Sequence, residues 1–245
     1  MSICDPVILT GVHLVETVLR HGRTKPRELA VLRGGSASGL ARIVRLAEST
    51  GVPVRWLNRA EMESLAPKAP GEIALGLAER KPLELDQILR PEQPGSMLLV
   101  VIAGVEDPHN LGMILRTALA ARAAAAILDE HALLMPRDLL ARSSAGASEC
   151  LALLLADDLV STLDELEAKS VTTVAMVSAR GEDLFQAKLP ERLALVIGGE
   201  RRGLSRRVLE RCRRNVTIPM AEGLESLPAP AAAAIAIFEI VRRRR

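Results

Sequence analysis

The sequence predicts an α/β protein of two domains, the larger of which is built on a parallel sheet. Continuous apolar runs such as Met97–Ala103 and Leu193–Ile197 are typical of parallel strands that are covered on both faces. Segments with apolar residues at helical spacing alternate with these runs along the chain. The core must be aliphatic, because the 245 residues include one Trp, two Phe and no Tyr.

Residues 1–77 predict a small α/β domain. Helical spacing predicts a first helix over Gly11–Arg20, and Ser38 is the expected N-cap of a second helix that runs to about Ser49. The stretch Asn58–Glu61 has the form of a capping box and opens a third helix. The expected strands are Glu28–Leu32, Pro53–Leu57 and Glu72–Leu77.

Residues 78–97 predict a connection between the domains. The segment holds Pro82, Pro91, Pro94 and Gly95 among charged residues, a composition that favours a linker over a core element. The second domain is therefore expected to span residues 98–245.

The second domain shows a repeated strand and helix order. The expected strands are Met97–Ala103, Ala123–Leu128, Val171–Met176, Leu193–Ile197 and Val216–Pro219. The expected helices cover Asn110–Ala121, part of 137–150, Ser161–Lys169, Ser205–Arg214 and the chain from about Ala231. Asn110 and Ser161 are expected to cap their helices, because Asn and Ser are favoured at that position.

Cysteine usage and the N-terminus favour a reduced, soluble, cytoplasmic protein without a structural metal. Cys4, Cys150 and Cys212 are far apart and form no C-x-x-C pair. The N-terminus lacks the basic start and apolar run of a secretory signal, and no stretch approaches the roughly 20 apolar residues of a membrane span.

Charge is unevenly distributed, although the net charge is only +2. Residues 1–60 are rich in arginine, and a second basic block covers Arg201–Arg214, with Arg242–Arg245 after it. Such blocks can contact the phosphates of a nucleic acid, and a solvated arginine-rich face is an equally good interpretation of either block.

Two loops at predicted strand ends lie close together in the last fifty residues. Gly198 and Gly199 follow one strand, and residues 223–230 follow the next. In a parallel α/β sheet, ligands bind at the carboxyl ends of the strands, where backbone groups are unpaired. The common nucleotide fingerprints G-x-G-x-x-G and G-x-x-x-x-G-K-[ST] are absent, which argues against a dinucleotide-dependent oxidoreductase and a P-loop enzyme.

Three motifs in order along the chain resemble the SpoU/TrmH family of RNA ribose 2′-O-methyltransferases, within the SPOUT superfamily. They are Asn110-Leu-Gly-Met-Ile-Leu-Arg116, Ile197-Gly198-Gly199-Glu200-Arg-Arg-Gly203, and Ile218-Pro219-Met220 running to Glu225-Ser226-Leu227. The resemblance covers nearly the whole chain. Within the family, the sequence is most similar to the bacterial 23S rRNA guanosine enzymes. Where the family pattern continues with Asn and Ser, this chain has Pro228 and Pro230.

The resemblance implies a fold and a cofactor. The second domain would contain a deep trefoil knot, and the first would be a substrate-binding domain with a ribosomal-protein-like fold. S-adenosyl-L-methionine would be held by backbone groups in the knot loops, at the positions Gly198, Gly199, Ile218 and Leu227.

The resemblance also implies catalytic residues, which are Asn110, Arg116, Glu200 and Ser226. Arg116 would bind a substrate phosphate and polarise the ribose hydroxyl, since a guanidinium with a pKa above ~12 is a poor base. Ordinary structural roles are the alternatives: an ion pair for Arg116 or Glu200, and a turn hydrogen bond for Ser226.

The expected partners are RNA, with 23S rRNA favoured and tRNA as the alternative, and a second copy of the chain, as in the family's dimers. The alternative function is a catalytically weakened RNA- or ribosome-binding protein, because Pro228 and Pro230 lack the side-chain hydrogen-bonding groups of Asn and Ser.

Overall fold

The computed structural model describes residues 3–67, 70–89 and 95–244. These residues form a four-stranded mixed sheet near the N-terminus and a seven-stranded parallel sheet in the remainder of the chain. The α/β class predicted from the sequence is confirmed.

The N-terminal sheet has the strand order β1-β4-β2-β3, in which β2 and β3 are parallel and the other pairs antiparallel. Its strands are β1 (Val7–Thr10), β2 (Pro26–Leu32), β3 (Val54–Leu57) and β4 (Ile73–Leu77). Its helices are α1 (Val12–His21), α2 (Leu40–Ser49) and α3 (Arg59–Leu65). Sequence reasoning missed β1, since four residues directly after a proline carry little periodic signal.

Of the two helix caps predicted for this domain, one is confirmed and one is wrong. The capping box at Asn58 and Glu61 is confirmed, with both reciprocal hydrogen bonds present. The prediction for Ser38 is wrong: α2 starts at Leu40 after Gly39, whose φ of 94° makes a left-handed turn. Because that turn separates Ser38 from the helix, its hydroxyl makes no capping bond.

Part of the predicted linker, residues 78–97, packs into the core of the large sheet. The expectation that this segment lies outside the core is therefore wrong. Residues 85–88 form a short helix, α4 (Leu85–Ile88), that begins with a capping box between Glu84 and Gln87. Leu85, Ile88 and Leu89 are buried against the large sheet. Residues 90–94, with two of the predicted linker prolines, lie outside the described residues.

The seven strands of the large sheet are ordered β7-β6-β5-β10-β8-β11-β9, and all of their pairings are parallel. They are β5 (Met97–Ala103), β6 (Ala125–Leu128), β7 (Leu153–Leu155), β8 (Thr172–Met176), β9 (Glu182–Asp183), β10 (Arg192–Gly198) and β11 (Arg214–Thr217). A strand is found at each of the five predicted places, although β11 begins and ends two residues earlier than the predicted Val216–Pro219. The two additional strands, β7 and β9, are too short to show periodicity.

Helices cover both faces of this sheet. They are α5 (Pro108–Ala120), a 3₁₀ helix (Glu130–Leu134), α6 (Arg137–Ser143), α7 (Ala147–Cys150), α8 (Leu159–Ala168), α9 (Arg206–Arg211) and α10 (Ala229–Arg243). Alternate residues of β5 belong to the two cores: Val100 packs with α5 and α10, whereas Val101 packs with α8 and α4. Burial on both faces explains why β5 is a continuous apolar run.

Two further cap predictions are wrong. Asp107, and not Asn110, caps α5, with its carboxylate accepting from the backbone N–H of His109 at 2.9 Å. Pro108 fits the first turn, which places Asn110 inside the helix. Similarly, Asp158 caps α8, and Ser161 only donates its hydroxyl to that carboxylate at 2.7 Å.

Within the described ranges, no helix combines the length and the apolar character needed to cross a membrane.

Candidate functional site

A cavity of about 520 Å³ lies at the carboxyl ends of three neighbouring strands, β8, β10 and β11. Six of the eight residues predicted from the sequence line it, namely Gly198, Gly199, Glu200, Ile218, Ser226 and Leu227. A volume in the range of about 300–1,000 Å³ is typical of small-molecule sites. The two loops proposed from the sequence therefore meet around one ligand-sized space.

The glycines of the first loop allow backbone to pack on backbone. A Cβ on Gly198 would lie 2.5 Å from the carbonyl carbon of Gly203, and a Cβ on Gly199 would overlap the carbonyl oxygen of Gly104. Gly199 continues the pairing of β10 with β5 by donating to the carbonyl of Ala103 at 2.9 Å. Gly203 closes the turn by donating to the carbonyl of Gly199 at 2.9 Å.

The second loop, residues 218–228, leads from β11 into α10 and forms the opposite wall. Ile218 and Leu227 are half-buried, while Ser226 is exposed at the cavity mouth. Pro228 takes the N-cap position of α10 and accepts from the backbone N–H groups of Ala231 and Ala232 through its carbonyl. The two prolines are thus compatible with the helix start, because the first N–H groups of a helix need no helical partner.

A third wall was not predicted. Met176 at the end of β8 and residues 177–179 after it line the cavity, and the backbone N–H of Val177 donates to the carbonyl of Val216 at 2.9 Å. The available signal was the position of β8, since in a parallel sheet the chain after every strand leaves at the same edge. Sequence reasoning did not identify β8 as the neighbour of both β10 and β11.

Two predicted catalytic residues meet at the rim of the cavity although they are far apart in the chain. The side-chain amide of Asn110 donates to the carboxylate of Glu200. The bond joins the first turn of α5 to the loop after β10. It orients the Glu200 carboxylate, whose second oxygen remains available at the cavity mouth.

Arg116 is not brought to this cavity within one chain. It lies six residues after Asn110 on α5, which is about 240° around the helix and roughly 9 Å along it. Its side chain is exposed, and no ion pair or hydrogen bond of the described residues engages it. A structural ion pair, the alternative role for Arg116, is therefore not observed.

A second cleft of about 930 Å³ adjoins the first and shares Glu200, Arg202 and Gly203 with it. It lies at the carboxyl end of β5 and β6, and the exposed Arg201 and Arg207 stand on its wall. The loop 199–203 therefore separates two spaces that open toward each other.

Cys150 and Cys212 do not offer a nucleophile. Burial raises the pKa of Cys150 to about 11 and that of Cys212 to about 12, so both thiols are protonated near neutral pH. Among residues 3–67, 70–89 and 95–244, no group of three or more His, Cys, Asp or Glu side chains is placed to hold a metal ion.

The fold and the cavity define the class of protein: an α/β protein with a ligand-sized cavity between loops at the carboxyl edge of its parallel sheet, next to an open cleft with exposed arginines. Comparison with known proteins matches both parts of the chain to families. Residues 97–238 match the SpoU rRNA Methylase family, and residues 8–80 match the RNA 2'-O ribose methyltransferase substrate binding domain. The chain belongs to the SpoU rRNA methylase family.

Relatives align along the whole chain. The 23S rRNA (guanosine-2'-O-)-methyltransferase RlmB of Haemophilus influenzae is 35% identical over 242 residues, which cover 96% of either chain. The Escherichia coli protein of the same name is 31% identical over 252 residues, which cover 97% of this chain and 98% of that protein. The crystal structure of the SpoU methyltransferase AviRb from Streptomyces viridochromogenes in complex with AdoMet matches 98% of this chain and 91% of that one, with a TM-score of 0.81 and 25% identity.

Proposed function

We propose that this protein transfers a methyl group from S-adenosyl-L-methionine to the ribose 2′-hydroxyl of a guanosine in 23S rRNA. The observation that carries this proposal is the cavity walled by the Gly198–Gly199 and Ile218–Leu227 loops, with the Asn110–Glu200 bond at its rim. Its position coincides with the motifs of a family whose aligned relatives carry that activity in their names. Ribosomal RNA as substrate implies a cytoplasmic location.

The residues present fit the cofactor. The close backbone packing at Gly198 and Gly199 holds the loop after β10 in one shape, and this loop lines the ligand-sized cavity. Ile218 and Leu227 offer half-buried apolar surface for the adenosine portion. When bound, the cofactor supplies an electrophilic methyl group on a positively charged sulfur.

This chain's side chains would prepare the acceptor. Glu200, held by Asn110, faces both the cavity and the adjoining cleft, which suits the task of orienting the ribose hydroxyl. Arg201 and Arg207 are exposed on the cleft wall, where they can contact phosphates, and Arg207 also interacts electrostatically with Asp158. Alignment of the 2′-oxygen with the methyl carbon is the main contribution that such positioning makes to the rate.

A homodimer completes the site in this proposal. Met113 on α5 and Ile235 and Phe238 on α10 are 45%, 37% and 47% exposed, and α5 packs against α10. Arg116 lies one turn after Met113, so an interface over this apolar patch would deliver Arg116 toward the partner's site. Arg116 would then stabilise negative charge on the 2′-oxygen and contact a substrate phosphate.

Two finer features of the fold belong to the same proposal. A trefoil knot is supported by the two loops that line one cavity and by α10, which starts at that cavity and ends where Arg244 donates to the carbonyls of Met97 and Glu191. A ribosomal-protein-like fold of the first domain is supported by its mixed four-stranded sheet with three helices.

The alternative is a homologue that retains RNA and cofactor binding with weakened catalysis. The observation that favours it is the loop before α10, where Pro228 and Pro230 replace the Asn and Ser of the family pattern and provide neither side-chain donors nor N–H groups. Methyl transfer distinguishes the two functions, since only the enzyme turns over.

Incubation with methyl-labelled S-adenosyl-L-methionine and unmodified total RNA tests the proposal. We expect label in 23S rRNA, with little in tRNA and none in a DNA oligonucleotide of the same sequence. Cofactor binding without transfer to any RNA would favour the weakened homologue, and transfer confined to tRNA would refute the proposed substrate.

A further inference from the structure

A cluster of buried charges lies where the two domains meet. The Arg137 side chain on α6 is 2% exposed and the Glu149 side chain on α7 is fully buried. Arg137 makes a bidentate pair with Glu149, at 2.8 Å from Nη2 to Oε2 and 3.1 Å from Nε to Oε1. Arg80, from the segment that connects the domains, pairs with the same carboxylate.

Arg137 reaches across the junction into the N-terminal part of the chain. Its Nη1 donates to the carbonyl of Asp5 at 2.8 Å and to that of Ala78 at 2.7 Å. Its Nη2 donates to the hydroxyl of Thr24 at 3.3 Å. Together with the two bonds to Glu149, these contacts use all five N–H groups of the guanidinium.

Apolar and backbone contacts surround this cluster. Ile3 is buried in the core of the large sheet, whereas Ala141 of α6 is buried in the core of the N-terminal domain. The backbone N–H of Arg23 donates to the carbonyl of Glu149 at 2.9 Å, and Gly146 faces Leu14 of α1. Each domain therefore inserts residues into the other.

The cluster specifies geometry more than it adds stability. Burial by itself raises the pKa of Glu149, but hydrogen bonds and charge from Arg137 and Arg80 outweigh it and lower that pKa, so the carboxylate is ionised. A buried ion pair returns little net stability relative to apolar residues of similar size, yet breaking it is costly because a buried charge is left without a partner. An apolar junction would tolerate sliding, whereas five directed hydrogen bonds would not.

We propose that the Arg137–Glu149–Arg80 cluster holds the RNA-binding domain in one orientation relative to the methyl-transfer site, so that the target nucleotide is selected by its distance from the RNA segment that the first domain grips. Arg137 is a positioning residue in this scheme. The inference rests on the proposed function. It also explains how a chain with one Trp and two Phe selects a nucleotide with few aromatic side chains on which to stack bases.

The test uses Arg137→Met, with Arg142→Met as the matched control. Arg142 is on the same helix and forms an ion pair with Asp138 at the surface, so its replacement removes an arginine from α6 while every bond of the buried cluster is retained. The substrate is the shortest 23S rRNA fragment that the wild-type protein methylates, together with versions that carry one or two extra base pairs between its flanking helix and the target.

For the wild type and Arg142→Met we expect the inserted base pairs to lower the methylation rate by about tenfold or more, since a misplacement of about 1 Å can cost on the order of 100-fold. For Arg137→Met the native fragment should react more slowly and the inserted ones should lose little further, with unchanged cofactor affinity. Equal discrimination by Arg137→Met and the wild type would overturn the inference.

Small-angle X-ray scattering measures the orientation without any RNA. The wild type should fit a single rigid arrangement, and Arg137→Met should fit only a distribution of arrangements. If Arg137→Met does not fold, Arg137→Lys retains the charge and loses the five-bond fork, and the same two outcomes are expected in weaker form. A single rigid arrangement of a folded Arg137 variant in scattering would overturn the inference, whether or not any RNA is methylated. Absence of RNA methylation by the wild type would instead refute the proposed function.

Discussion

Replacement of Gly198 by alanine tests the backbone construction of the cavity. The added Cβ would lie 2.5 Å from the carbonyl carbon of Gly203 and 2.6 Å from the nitrogen of Leu204. Carbon atoms prefer separations of about 3.5–4.0 Å, so the turn must move by roughly 1 Å. Both contacted groups are backbone atoms, and no side-chain rotation can relieve the overlap.

The magnitude follows from the contacts that hold the turn. Movement strains the bonds from Gly199 to Ala103 and from Gly203 to Gly199, each with a net value of about 1 kcal/mol. Overpacking adds about 1–3 kcal/mol. The two bonds are weakened and not lost, so we take a total cost of about 2–4 kcal/mol for forming the turn that binds the cofactor. S-adenosyl-L-methionine should then bind on the order of 30- to 1,000-fold more weakly.

Isothermal calorimetry with the cofactor measures this loss, and Gly203→Ala is the control within the same turn. Gly203 has a φ of 61° and no heavy atom within 4 Å of an added Cβ, so only the left-handed backbone is strained, at about 1 kcal/mol. An affinity of Gly198→Ala within about threefold of the wild type, or equal to that of Gly203→Ala, would refute the close-approach argument.

Three further predictions address catalysis and pH. Arg116→Ala should abolish methyl transfer and leave cofactor affinity nearly unchanged, because Arg116 lies outside the cavity; an equal loss of both in calorimetry and rate assays would indicate a structural role. The double change Pro228→Asn with Pro230→Ser should raise the methylation rate by up to about a hundredfold at similar cofactor affinity, since one restored charge-orienting contact has about that value; an unchanged rate would show that the prolines are neutral. Hydrogen bonds from Arg242 and then Arg243 lower the pKa of Glu239 to about 2, so the stability that this carboxylate contributes is complete above its unfolded pKa of about 4.3 and is lost as pH falls toward 2. The difference in melting temperature between the wild type and Glu239→Gln should accordingly shrink from pH 6 to about pH 2.5, and a constant difference would contradict the assignment.

Features that depend on local patterns were predictable from the sequence. The strand over Met97–Ala103 was predicted because an apolar run buried on both faces is visible without knowledge of its neighbours. The capping box at Asn58 was predicted because both of its partners lie within four residues. Where two local candidates compete, as Asp107 and Asn110 do for α5, the neighbouring proline decides, because Pro108 favours the first helical position.

Features that depend on contacts distant in sequence were not predictable from local patterns. The bond between Asn110 and Glu200 spans 90 residues, and family resemblance pointed to both residues without showing that they touch. Arg137 and Glu149 are ordinary charged residues of short helices in the sequence, and only the docking of the first domain buries them. Leu85 and Ile88 are also buried by residues distant in sequence, those of the large sheet, whereas their proline-rich surroundings suggested a linker.

The central claim, methylation of one guanosine ribose in 23S rRNA, is tested most directly by mass spectrometry of a 23S rRNA fragment after reaction with S-adenosyl-L-methionine. The account predicts one added methyl group, located on the ribose of a single guanosine, and no methylation when that nucleotide is replaced by 2′-deoxyguanosine. A methyl group on a base, or one that persists on the deoxy substrate, would contradict it.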